Sequence, residues 1–120
     1  MTQSTYSTAR TLNTVTVVIN VSYENEAVQV DQPNRVIHRK NTVRVVWRAP
    51  ADLQFALDFH DGDLSPGPDH KFWYDAKFDV DEDVWEVAVI LRNPAYKLVL
   101  KYDVVTDFGT LDPALIIDPN

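Results

Sequence analysis

Between Asp58 and His70 the chain gathers side chains that could hold a metal. Asp58, His60, Asp61, Asp63, Asp69 and His70 fall within one short span. Hard cations take several oxygen ligands and zinc takes imidazole with carboxylate, so His60, Asp61, Asp63 and His70 form the candidate ligand set. Asp61-Gly62-Asp63 carries a fragment of a calcium-loop pattern, but the full spacing and the closing glutamate are missing. A purely structural role competes with this one. The span from 60 to 70 holds two of the three glycines and two of the seven prolines. Aspartates in such a span cap turns through local hydrogen bonds, so the same residues also suit a solvated loop.

Trp73 is the second candidate. Phe72 and Tyr74 share one face of an extended segment, so Trp73 between them faces the other way. An outward indole suits sugar stacking or a protein hot spot; covered by the loop or the N-terminal arm, it would only pack. A basic cluster, Arg35, His38, Arg39, Lys40, Arg44 and Arg48, stands out in an acidic chain. From the outer face of a strand, Arg44, Arg48 and their neighbour Val46 could meet a partner's acidic patch. The alternative is cross-strand pairing with Asp and Glu. The run Asp79–Asp83 is rich in carboxylates, but acid–base chemistry needs burial or coupling, and a run in a turn is usually solvated. No Ser–His–Asp arrangement, nucleophile elbow or phosphate-cradling loop is present, so no catalytic residue is expected and the chain does not read as an enzyme.

The elements that must position these residues are strands. Val15, Val17, Ile19 and Val21 alternate with Thr16, Asn20 and Ser22 over 14–22, a period of two in β-branched residues. Similar segments follow at 27–31, 35–39, 42–48, 53–59, 71–80, 84–91, 96–105 and 111–118. Trp47 and Trp85 fall in the inward registers. No stretch shows a helical period. About eight strands, in a range of about seven to nine, predict an all-β, two-sheet antiparallel sandwich with cupredoxin-like or immunoglobulin-like Greek-key connections. Residues 1–13 are Ser/Thr-rich and aperiodic, a flexible arm ahead of a single domain over 14–120.

Composition bounds the partners. A net charge of −7 disfavours nucleic acid and anionic lipid and tolerates cationic partners. The chain has no cysteine, which removes disulfides and thiolate chemistry and fits a reducing cytosol. The N-terminal segment is polar and lacks the apolar stretch of a signal peptide, so a cytoplasmic location is expected. No cofactor is implied.

The strand 42–48, ending Val45-Val46-Trp47-Arg48, resembles the tryptophan strand of small cupredoxin-like sandwiches. The segment Tyr96–Val105, its glycine-containing turn and Thr110-Leu-Asp-Pro-Ala-Leu-Ile-Ile-Asp118 resemble their C-terminal strands. The resemblance covers about residues 42–118 and implies the fold. Copper-binding members use one Cys and two His, often with an axial Met. Here there is no Cys, the only Met is Met1 and 96–105 lacks His, so a type 1 copper site is excluded. The expected function is a non-catalytic protein-interaction or self-assembly module, with a homodimer the simplest assembly. Its surface would include the outward apolar residues Val18, Val46, Ile90, Val99 and Val105. The alternative is a metal- or carbohydrate-binding sandwich using the 58–74 region.

Overall fold

The structure, a computed structural model, describes residues 15–38, 42–60, 72–91 and 98–118. The expected arm over 1–13 lies outside these residues. Eleven strands are described. β1 (Val15–Glu24) follows its alternation, with Val17, Ile19 and Val21 buried and Thr16, Val18 and Asn20 exposed. A two-residue turn leads to β2 (Ala27–Val30). Asn25 and Glu26 both take left-handed φ values, 54° and 63°, the twist a tight hairpin requires.

The remaining strands are β3 (Asn34–His38), β4 (Val43–Pro50), β5 (Phe55–Phe59), β6 (Trp73–Asp75), β7 (Lys77–Asp79), β8 (Val84–Leu91), β9 (Leu98–Thr106), β10 (Gly109–Leu111) and β11 (Ala114–Asp118). They form two sheets. The first has the order β2-β1-β4-β8-β7 and the second β3-β11-β9-β5-β6, with β10 also pairing β9. The two-sheet sandwich is as the sequence predicts, but the sheets are mixed. β1 and β4 pair in parallel, as do β3 and β11, and the other pairings are antiparallel. The reason lies in the chain path. Parallel neighbours need a crossover, and here β3, a strand of the opposite sheet, lies in the connection between β2 and β4.

Two single segments of the sequence reading each become two strands. The extended run 71–80 changes sheets at the buried Ala76, whose amide donates to the Phe55 carbonyl (3.0 Å). β6 therefore pairs with β5, and β7 with β8. Asp112-Pro113 likewise separates β10 from β11, since proline has no N–H to give a ladder.

The core lies between the sheets. Trp47 on β4 and Tyr102 on β9 are its largest fully buried side chains. The indole N–H of Trp47 donates to the Tyr102 hydroxyl across the sandwich (3.1 Å), with the rings edge-on at 5.4 Å. Phe59 packs against both, and Tyr74 against Phe59. Trp85 is less central than its register suggests. It is half-buried at the core margin, its ring tilted against Phe78 (5.2 Å), and its N–H reaches the Ala51 carbonyl (2.9 Å).

Burial pushes the Tyr102 phenol up to about 12, against a smaller lowering by the Trp47 hydrogen bond. The folded state thus holds this proton more tightly than the unfolded chain, whose value is 10.0. The associated stability is complete below about pH 10 and is lost as pH rises from 10 toward 12, a change of about 3 kcal/mol. Tyr102→Phe should cost about 1–3 kcal/mol in urea denaturation at neutral pH, because it orphans a buried indole N–H. It should also remove this component of the alkaline loss of stability.

Candidate functional site

On the second sheet, cross-strand register brings together residues that are far apart in sequence. Asp58 on β5 pairs with Trp73 on β6 and with Asp103 on β9. One row along, Ala56 pairs with Asp75 and with Val105. Side chains alternate along a strand, so both rows lie on the outer face, opposite the core residues Phe55, Leu57 and Phe59. Trp73 is 44% exposed, as an outward indole should be. Its N–H donates to Asp75 (2.9 Å), which fixes the orientation of the ring. Beside it lies a cleft of about 240 Å³ whose lining includes Gln54, Ala56, Trp73, Asp75, Val105 and Asp107.

His60 follows β5 at the neighbouring end of this face. Its main-chain N–H donates to the Lys101 carbonyl (3.0 Å), and its Nε2 lies 2.9 Å from an Asp103 carboxylate oxygen. Asp112 approaches too, and the donor atoms of His60, Asp103 and Asp112 fall within 4.8 Å of one another. Of the candidate metal set His60, Asp61, Asp63 and His70, only His60 lies among the described residues; the other three lie outside them. The described partners of His60 come instead from β9 and the segment after β10. Each group in this cluster is already engaged, because His60 faces Asp103 and Asp112 faces Lys101 (3.4 Å). The arrangement is a polar network on this sheet that includes the Lys101–Asp112 ion pair.

The described members of the basic cluster divide between the two sheets. Arg35 and His38 lie on β3 of the second sheet and Arg44 and Arg48 on β4 of the first, while Arg39 and Lys40 lie outside the described residues. Arg48 pairs with Glu86, its register partner (2.8 Å). Asn20, next in that row, donates its side-chain amide to Asp31 (2.8 Å) and its main-chain N–H to the same carboxylate (2.9 Å). Partial burial pushes the Asp31 carboxyl up, but these bonds and one from Gln32 outweigh it and hold the group below its usual range.

Above that polar row runs an apolar one, Val18–Val46–Ala88, with Ile90 in the next. Val46 faces outward by register, yet it is only 1% exposed. It therefore offers no contact surface of its own. It sits in the middle strand of the sheet with Val18 and Ala88 on either side and Arg44 and Arg48 on its own face. The second sheet has its own apolar row, Val36–Ile116–Val99 across β3, β11 and β9, with Val36 40% and Val99 42% exposed. Sequence reading included Val99 but not Val36 or Ile116, because only the parallel β3–β11 register aligns them. The acidic run behaves as a turn. The Asp79 carboxylate accepts from the N–H groups of Asp81 (3.0 Å) and Glu82 (3.2 Å), and Asp83 takes a left-handed φ of 59°.

Val46→Asp should destabilise the fold by about 3 kcal/mol or more, since it puts a desolvated carboxylate in place of a fully buried valine. Val18→Asp, one strand away on an exposed site, should stay within about 0.5 kcal/mol of the parent. Urea denaturation of the two variants tests this assignment of the outer face.

The chain is similar to auracyanin B, a cupredoxin, at 15% identity over 88% of this chain and 89% of that one, with a TM-score of 0.44. It is also similar to the N-terminal domain of phage TP901-1 ORF48, at 9% identity over 87% of this chain and 98% of that one, with a TM-score of 0.42. No family model and no curated protein matches the sequence. The all-β architecture of two mixed sheets is consistent with the loose cupredoxin-like resemblance of the sequence.

Proposed function

We propose that this chain is a non-catalytic protein-interaction module that associates with a second copy of itself through the outer face of its second sheet. The observation that carries this reading is the row Val36–Ile116–Val99. It lays apolar side chains across three adjacent strands and ends on β3, an edge strand among the described residues. Scattered exposed valines need no explanation, but a contiguous row at a sheet edge suits burial against another surface. Edge pairing between two copies of β3 would continue the sheet and double the apolar row.

Size-exclusion chromatography with light scattering over about a hundredfold range of concentration tests the proposal by mass action. The expected result is a concentration-dependent dimer that Val36→Lys and Val99→Lys return to monomer with an unchanged circular dichroism spectrum. A parent chain that stays monomeric across the range overturns it.

A second reading, a ligand-binding sandwich using the 58–74 region, is favoured by the exposure of Trp73 and the fixing of its ring by Asp75. A thermal-shift panel of divalent metals and simple sugars separates its two versions, since specific binding raises the melting temperature. A metal-induced rise that His60→Ala leaves unaltered removes His60 from the ligand set.

A further inference from the structure

We infer that the Trp73 cleft and the outer edge of β6 bind an extended, arginine-bearing segment of a partner protein. This deepens the interaction-module reading by naming a partner chemistry, and it uses a different surface from the apolar row. Three parts of this face favour such a ligand, and the first is the strand edge. The Phe72 carbonyl accepts from the Phe59 N–H (3.0 Å) and the Ala76 N–H donates to the Phe55 carbonyl (3.0 Å), so these residues turn their main chain toward β5. In an antiparallel ladder the pattern alternates, so the N–H and C=O groups of Trp73 and Asp75 point away from β5. Among the described residues no strand pairs with that edge. An extended peptide added there would satisfy these groups and lay every second side chain on the outer face, beside Trp73.

The second part is charge. Asp75 and Asp107 line the cleft, and Asp58 stands next to Trp73 in the row. Among the described residues no Lys or Arg lines it, and Lys101 is engaged with Asp112. Acceptors thus outnumber donors. A neutral sugar, whose hydroxyls need both, is poorly matched, whereas a guanidinium presents donors only. The third part is the indole. Its N–H is held by the Asp75 carboxylate, which leaves the half-exposed ring face for contact. A cation over an indole face is attracted by the ring quadrupole, and guanidinium stacks on it better than ammonium does.

The test is a titration of the full ¹⁵N-labelled chain with an N-acetylated, C-amidated Gly-Arg-Gly-Arg-Gly peptide. The readout is the indole N–H signal of Trp73, assigned by its loss in Trp73→Phe. The matched peptide with citrulline in place of arginine keeps shape and removes charge. The expected result is movement of the Trp73 indole and of the Trp73 and Asp75 amides, with the citrulline peptide at least about tenfold weaker. Asp107→Asn should weaken binding several-fold, and Trp73→Leu should weaken it about tenfold or more, with the Trp47 indole signal unmoved in both as evidence of an intact core. Equal binding of the two peptides overturns the inference. So does an unmoved Trp73 signal, or one that moves with methyl glucoside and not with the arginine peptide. Light scattering of Trp73→Leu separates the two proposals. A dimer that persists there while the peptide fails to bind leaves the self-association reading standing and removes this one.

Discussion

The hydrogen bond from the Trp47 indole to the Tyr102 hydroxyl is the constraint around which the sandwich is organised. Trp47 lies on β4, in the middle of the first sheet, and Tyr102 on β9, in the middle of the second. Each brings a polar atom into a space that water does not reach, and such an atom is costly unless it finds a partner. The indole can only donate and the phenol can accept, so one contact satisfies the donor and fixes the spacing and register of the two sheets. Phe59 and Tyr74 continue the aromatic layer toward β6. The rigidity of that layer gives Trp73, on the opposite face of β6, a fixed base.

Because the aliphatic and aromatic residues fill the space between the sheets, the ionisable groups are left to the outer faces. There they form ordered rows. Asp31, Asn20, Arg48 and Glu86 make one across the first sheet, and His60, Asp103, Lys101 and Asp112 make another on the second. In these rows Arg48 and His60 already have acidic partners. Among the described residues, what these rows leave open includes the apolar row Val36–Ile116–Val99, the indole of Trp73 and the carboxylates of the cleft beside it.

Much of this was legible in the sequence because a period of two in Val, Ile and Leu leaves little choice of structure. The strands, the all-β class, the central place of Trp47 and the outward face of Trp73 all follow from alternation alone. Alternation does not report which strand pairs with which. The parallel pairings, the joining of Val36 to Val99 through Ile116 and the meeting of His60 with Asp103 depend on long-range register. Val46 shows a related limit. Its register is outward, yet it is only 1% exposed, so facing outward did not make it accessible. The run 71–80 reads as one strand because its pattern is unbroken, while the chain changes sheets at a small residue, Ala76, that periodicity does not mark.

The central claim is that Trp47 is locked between the sheets while Trp73 is presented to solvent on a fixed base. Hydrogen exchange of the three indole N–H groups in the native chain tests this most directly. The account predicts that the Trp47 proton exchanges only when the whole domain unfolds, with an opening free energy equal to that from denaturant unfolding. The Trp73 proton, bonded to Asp75 at the surface, should exchange orders of magnitude faster. Comparable rates for Trp47 and Trp73 would contradict it.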